Sequence, residues 1–205
     1  MTELQQSSRL IELIRTRRSL RRYLPEPIPQ AVIEQVLSAA IWSPSAHNRQ
    51  PWRFAVLRDA DDKDTLAAAM GARLRRDLEA DGAPATVIEA DVSRSYERMT
   101  SAPVLVVVCL TMADMDDYPD EKRSRAEYLM AVQSVAMAAQ SLWLLAHASG
   151  LGACWLCAPL FVPQLVRDTL DLPPDWAPQG LMTLGWPAEE KSKSRKPWQA
   201  HVIFR

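Results

Sequence analysis

Apolar positions along this chain fall into two periods, and the alternation between them sketches the fold. Val32, Ile33, Val36, Leu37, Ala40 and Ile41 recur at helical spacing and predict a helix with one buried face. Pro25, Pro27 and Pro29 form an extended lead-in, with Pro29 suited to the first helical position. A shorter helix is expected over Arg9–Arg15, a strand over Phe54–Leu57 and a charged, exposed helix from Asp61 to Ala80. Asp81–Arg94 has no clear period and reads as a mobile loop or lid. Val104–Leu110 is a continuous β-branched run, as a central strand covered on both faces requires. Arg123–Ser149 is apolar nearly all round and stops at Gly150, which predicts a long buried helix. Gln133, Ser134, Gln140, Ser141 and His147 interrupt it, and no basic flank orients it, so a membrane span is not expected. A helix over Val162–Leu170 and strands over Leu181–Trp186 and Val202–Phe204 complete a single α+β domain spanning residues 1–205.

Charge changes the picture by its placement rather than its sum. Across 205 residues, 24 basic side chains face 25 acidic ones, which argues against a general nucleic-acid or membrane-surface role. The N-terminus carries no apolar secretory stretch, and three cysteines suggest no disulfide scaffold, so a cytoplasmic protein is expected. Yet Arg17, Arg18, Ser19, Arg21 and Arg22 crowd together, and Lys191, Lys193, Arg195 and Lys196 form a second cluster. Either alone is compatible with a solvated turn. Two clusters can converge on one phosphate through forked, charge-assisted hydrogen bonds. Between Trp42 and Trp52 runs a Pro-punctuated loop, Ser43-Pro44-Ser45-Ala46-His47-Asn48-Arg49-Gln50-Pro51. It reads either as plain turn punctuation or as a set of groups able to hydrogen-bond the edge of a flat heterocycle.

Other motifs are weaker. Gly150-Leu151-Gly152 opens like a dinucleotide fingerprint, but it follows a helix and places Trp155 where the third glycine belongs. Gly150 is better explained as a helix C-cap. Cys154 and Cys157 form a Cys-x-x-Cys pair without the strand-to-helix context of a redox motif or further zinc ligands nearby, so buried structural thiols are expected. His147 reads as a satisfied core histidine, whereas His47 lies in the polar loop. Side chains for self-sufficient acid, base or nucleophile chemistry are lacking, which suits an enzyme whose cofactor reacts.

The order Arg17-Arg18-Ser19-x-Arg21, then Ser43-Pro44-Ser45-x-x-Asn48-x-Gln50-Pro51-Trp52, the long helix into Gly150-x-Gly152 and the late basic cluster resembles the nitroreductase family over nearly the whole chain. That resemblance implies a three-layer sandwich, a central mixed sheet flanked by helices, in an intertwined homodimer with FMN at its interface. It implies that Arg17, Arg18, Ser19 and Arg21 meet the FMN phosphate and ribityl, helped by Lys193 and Arg195. Pro44, Ser45, His47, Asn48 and Gln50 would reach the flavin from the partner, and Trp155, Leu156, Cys157 and Ala158 would run along its ring. Gly152-Ala153-Cys154-Trp155, the stretch Leu165–Trp176 and Gly185 look most like the C-terminal FMN domain of the deazaflavin (F-420) ligase branch. The implied activity is reduction of a small organic acceptor (nitroaromatic, quinone, activated alkene or F-420 precursor) with NAD(P)H as electron donor. A flavin-storage protein without turnover and a flavin-destroying, benzimidazole-forming enzyme are the alternatives.

Overall fold

The computed structural model describes residues 3–205. Four strands make one sheet in the order β1-β2-β4-β3: β1 is Trp52–Leu57, β2 Val104–Leu110, β3 Gly152–Leu156 and β4 Ala177–Gly185. All three pairings are antiparallel, so the mixed character expected of the sheet is confined to an isolated parallel bridge between Ser19 and Ala153. β2 explains the layering. Val104, Val106, Val108 and Leu110 face one core, and Leu105, Val107 and Cys109 face another. Residues alternate sides of a strand, so a run without polar residues must be covered twice. On the first face lie α2 (Gln30–Ala40), through Ile33, Val36 and Ala40, and α5 (Glu121–Ala148), through Val135, Ala138 and Leu142. On the second face lie α3 (Ala60–Ala80), α4 (Ala85–Thr100) and α6 (Pro163–Thr169), through Leu66, Met70, Met99 and Val166. The result is the expected three-layer α+β sandwich.

Helix ends follow the local chemistry. The Asp120 side chain accepts a hydrogen bond from the Arg123 N–H at 3.0 Å and caps α5. At its other end Gly150 takes φ +80°, its N–H donates to the His147 carbonyl at 3.0 Å, and the Leu151 N–H donates to Ala146 at 2.9 Å. That pair of bonds is a Schellman ending and turns the chain directly into β3. By length and composition α5 could cross a membrane, but here its Ala131–Leu142 stripe lies against the sheet. α1 (Glu3–Thr16) is longer than the Arg9–Arg15 segment read from the sequence and buries no residue.

Two expectations are corrected. Asp81–Arg94 is no lid: Gly82, at φ +71°, turns the chain and α4 begins at Ala85, packing back along α3. Only Ile88 and Met99 of α4 are buried, so the helix writes too little apolar period into the sequence to be seen. Val202–Phe204 lies outside the sheet and follows a 3₁₀ turn at Trp198–His201, with Ile203 and Phe204 80% and 82% exposed. Its β-branched composition finds no strand to pair with within the chain.

Gly180 in β4 makes room for Trp155, whose indole lies over it: a Cβ there would come within 2.0 Å of the ring. Gly180→Ala should therefore displace Trp155 and destabilise the fold by about 1–3 kcal/mol, the usual cost of overpacking. Thermal unfolding checks this, and an unchanged Tm would show that the indole is not pinned there.

Candidate cofactor site

The basic residues converge because the chain before α2 runs along the open edge of β3. Leu20 N–H donates to the Ala153 carbonyl at 3.0 Å, next to the Ser19 bridge, and fixes this segment on the sheet. Further along, Tyr23 anchors it through a 2.6 Å hydrogen bond with the Thr183 hydroxyl, and burial raises the Tyr23 pKa. Arg17, Arg18, Ser19 and Arg21 then wall a cavity of about 180 Å³ together with Lys191, Lys193 and Arg195 from the C-terminal arm. Arg18 Nη2 donates to the Lys193 carbonyl at 3.2 Å and ties the two clusters together. Ser19 and all the basic residues assigned to the phosphate from sequence thus sit around one space.

The electrostatics of that space are lopsided. Arg17 Nη1, Arg18 Nε and Arg21 Nε are buried and have no hydrogen-bond partner among the described residues. A buried donor without an acceptor is costly, and a charged one more so. Burial, then the Arg195 and Arg18 charges, lower the Arg17 pKa. Its guanidinium lies 4.0 Å above the Trp143 ring, a cation–π contact that holds the charge without neutralising it. His147 accepts or donates a 2.9 Å hydrogen bond with the Thr16 hydroxyl, and its pKa is lowered by burial first and then by Arg17 and Arg18. It is satisfied, as expected, but half-buried at the rim of the cluster rather than in the core. Glu189 is the nearby carboxylate, and it is engaged by Lys191 at 2.7 Å and by the Arg21 backbone N–H at 2.6 Å. The donor set therefore suits an anion with several acceptor oxygens, and a phosphate monoester fits that chemistry.

The Trp42–Trp52 loop sits elsewhere: none of Pro44, Ser45, His47, Asn48 or Gln50 lines the cavity. It is conformationally stressed. His47, Asn48 and Gln50 take φ of 50°, 55° and 51°, a left-handed region that side chains other than glycine enter at a cost. The stress is held by packing against α5: Ser45 Oγ accepts from the Gln50 N–H at 3.0 Å, Ala46 N–H donates to Ser134 Oγ at 3.2 Å, and Ser43 bonds Ser141 at 2.7 Å. Beneath it, donor atoms of His47, Asp116 and fully buried Glu127 lie within 4.8 Å of one another, a spacing that a divalent cation can bridge. Asp116 is already paired with Arg49, and its N–H donates to Glu127 Oε1 at 3.2 Å. Pro44, His47, Asn48 and Gln50 are exposed on this loop, and none of them lines the basic cavity of the same chain.

Trp155 and Leu156 close β3, and Cys157 and Ala158 lead into a 3₁₀ turn over Ala158–Phe161. Ala158 lines an apolar cavity of about 260 Å³ with Met70, Leu74, Leu78 and Phe161. The expectation of two buried thiols is half corrected. Cys154 is buried, and burial raises its pKa, but Cys157 is exposed and accepts a 3.1 Å hydrogen bond from Trp155 Nε1. Cys154 lies within β3, on the face opposite Ala153 and Trp155, while Cys157 lies beyond the strand end. Trp143 belongs to the site through Arg17, although in the sequence it is one apolar position among many in a helix that is apolar nearly all round.

With this geometry, comparison with known proteins is decisive at the level of family. The nitroreductase family profile matches residues 14–186, and the chain belongs to that family of oxidoreductases. It is 32% identical over 210 residues to the 5,6-dimethylbenzimidazole synthase of Rhodospirillum rubrum, covering 94% of this chain and 92% of that protein. It is 31% identical to an NADH dehydrogenase of Thermus thermophilus, covering 92% of each. Among solved structures, a Desulfovibrio desulfuricans protein described as a nitroreductase in complex with FMN superposes with a TM-score of 0.74 at 28% identity, covering 96% of both chains. A BluB-like flavoprotein of Clostridium difficile superposes at a TM-score of 0.78 over the full length of both chains; its 23% identity speaks for the fold alone.

The charge arrangement predicts how His147 titrates. Its folded-state pKa lies below its ordinary 6.5, so the unfolded chain takes the proton first and stability falls as pH drops through about 6.5. Filling the cavity with inorganic phosphate should raise the His147 pKa by offsetting the Arg17 and Arg18 charges. An NMR titration with and without phosphate checks both points; a pKa above 6.5 in the free protein, or one indifferent to phosphate, would refute them.

Proposed function

We propose that this chain binds FMN and works as a homodimeric oxidoreductase that moves electrons from NAD(P)H to a small organic acceptor. The observation that carries the reading is the cavity of about 180 Å³ walled by the arginines and lysines of both basic clusters, in which one buried nitrogen each of Arg17, Arg18 and Arg21 lacks a hydrogen-bond partner among the described residues. It is sized for one terminal phosphate, and the fragment Gly150-Leu151-Gly152 offers no second, adenylate-binding half. FMN would supply the chemistry, accepting hydride from the donor and delivering electrons to the acceptor.

The chain supplies binding, orientation and exclusion of water. Arg17, Arg18 and Arg21 would hold the phosphate with the Ser19 hydroxyl, and Lys193 and Arg195 would close over it. Trp155, Leu156, Cys157 and Ala158 would flank the ring, where their backbone can hydrogen-bond its edge and the apolar cavity beside Ala158 can receive an acceptor. The basic edge also favours a ring that gains negative charge on reduction. Pro44, Ser45, His47, Asn48 and Gln50 would be contributed by a second copy, because within one chain none of them lines the cavity. The apolar surface left uncovered supports that assembly: Leu10, Ile11 and Ile14 on α1, Leu129 and Met137 on α5, Trp42, Ile203 and Phe204 are all exposed. A soluble monomer rarely leaves so much apolar surface bare.

A second reading rests on the likeness to 5,6-dimethylbenzimidazole synthase: the same site could consume its flavin, with reduced flavin and oxygen giving a benzimidazole. An F-420 precursor stays on the list of acceptors through sequence resemblance, whereas the relatives named above favour nicotinamide oxidation or benzimidazole formation. Flavin storage without turnover would show as bound FMN that NAD(P)H does not bleach. Anaerobic titration with NADH and NADPH, followed by oxygen and chromatography of the flavin, separates all three outcomes.

Arg17→Ala and Arg21→Ala should each weaken FMN binding roughly ten- to a hundred-fold, the loss of one charge-assisted contact worth about 1.5–3 kcal/mol. Fluorescence titration of FMN measures this. Wild-type affinity in both variants would mean that the clusters are a solvated edge and not a phosphate site.

A further inference from the structure

On the α4 side of the same basic edge opens a second, larger cleft of about 760 Å³. Its walls carry five basic residues, Arg21, Arg22, Arg94, Arg98 and Lys191, against two acidic ones, Glu97 and Glu189. Arg94, Arg98 and Ser101 recur at helical spacing, so one face of α4 presents two guanidiniums and a hydroxyl to the cleft. Arg21 and Lys191 are shared with the small cavity, so the two spaces adjoin through those side chains alone. Part of this charge is not spoken for. Lys191 engages Glu189 and Arg94 pairs with Asp91, but the Arg22 and Arg98 side chains have no hydrogen-bond or ion-pair partner among the described residues. Arg21, Arg98 and Lys191 all lower the Cys154 pKa against the burial that raises it, which places their fields together at the β3 edge.

We propose that this cleft is a second anion site and takes the phosphate-bearing end of the reducing dinucleotide. The size separates it from the flavin phosphate cradle: 180 Å³ suits one phosphate, whereas 760 Å³ lies in the range of sites for whole small molecules. Unpaired guanidiniums beside a hydroxyl recognise phosphate esters through forked hydrogen bonds. A dinucleotide must bring its nicotinamide to the flavin and leave its charged end nearby, and a basic cleft sharing a wall with the flavin phosphate site answers that need. Arg22 and Arg98 are the residues that bind it; Arg94, released from Asp91, adds a third contact. The inference rests on the FMN reading for the identity of the donor, and on the cleft alone for anion binding. Two phosphates could be the one held, the pyrophosphate common to NADH and NADPH or the 2′-phosphate that only NADPH carries.

Calorimetry on the flavin-loaded protein with ADP and with adenosine 2′,5′-bisphosphate tests it directly, and the same titration on flavin-free protein keeps the test independent of the FMN reading. At least one of the two nucleotides should bind. Arg98→Ala and the Arg94→Ala/Arg98→Ala pair should weaken it roughly tenfold or more, with FMN content and Tm unchanged. Preference for the bisphosphate, with a fall in the NADPH-to-NADH ratio of kcat/KM in the variants, assigns the 2′-phosphate. Equal binding of both, with KM rising for both donors, assigns the pyrophosphate. The proposal is overturned if neither nucleotide binds, or if the variants bind as the wild type does. It is also overturned if they lose FMN together with the nucleotide, because the cleft would then be part of the flavin site.

Discussion

Uncompensated positive charge at one sheet edge is the constraint on which the rest of this structure turns. Arg17, Arg18 and Arg21 are pressed together by a segment pinned to β3 through Ser19, Leu20 and Tyr23, and one buried nitrogen of each has no hydrogen-bond partner among the described residues. The three side chains are half-buried, and holding like charges this close, with one nitrogen of each lacking a hydrogen bond, opposes folding. Under the proposed reading, a ligand that brings negative charge offsets that cost. Trp143 beneath Arg17 and the Thr16–His147 contact then read as supports that keep the cluster in place.

The second constraint, on the proposed reading, is that one chain holds both halves of a site without joining them. The loop from Ser43 to Gln50, with His47, Asn48 and Gln50 in left-handed conformations, is tied to Ser134 and Ser141 of α5, and none of its residues lines the basic cavity. The helix that stabilises it also leaves Leu129 and Met137 uncovered, and α1 leaves a whole apolar stripe bare. Strained loop, bare helix and incomplete site are accounted for together by a two-fold partner. Mixed reading of these features as separate oddities would leave three unrelated costs in the fold.

Much of this was legible in the sequence where burial is one-sided or complete. β2 writes an unbroken apolar run because it is covered twice, and α2 writes a clean helical stripe because one face is buried. α4 was missed because only Ile88 and Met99 are buried; with so little of it in a core, polarity looked like a loop. Trp155–Ala158 was read as a strip of backbone, but that it begins in a strand could not be seen, since β3 is short and mixes Gly, Cys and Trp. Val202–Phe204 has strand composition and no strand, because composition records what a segment could pair with and not whether a neighbour is there. The basic clusters were visible, yet their convergence came from the Ser19–Ala153 bridge and the Arg18–Lys193 contact, which are long-range and carry no local signature. The same holds for the Cys-x-x-Cys pair, where the end of β3 decides that one thiol is buried and the other exposed.

The central claim is that each site is built from the basic edge of one copy and the strained loop of another. Mixing an Arg17→Ala chain with an Asn48→Ala chain tests it most directly, because each variant spoils a different half. The account predicts that neither variant alone binds FMN tightly, and that the mixture recovers about one wild-type site per heterodimer. A mixture that stays as weak as its parents with both chains folded, or a wild-type protein that binds flavin as a monomer in light scattering, would contradict it.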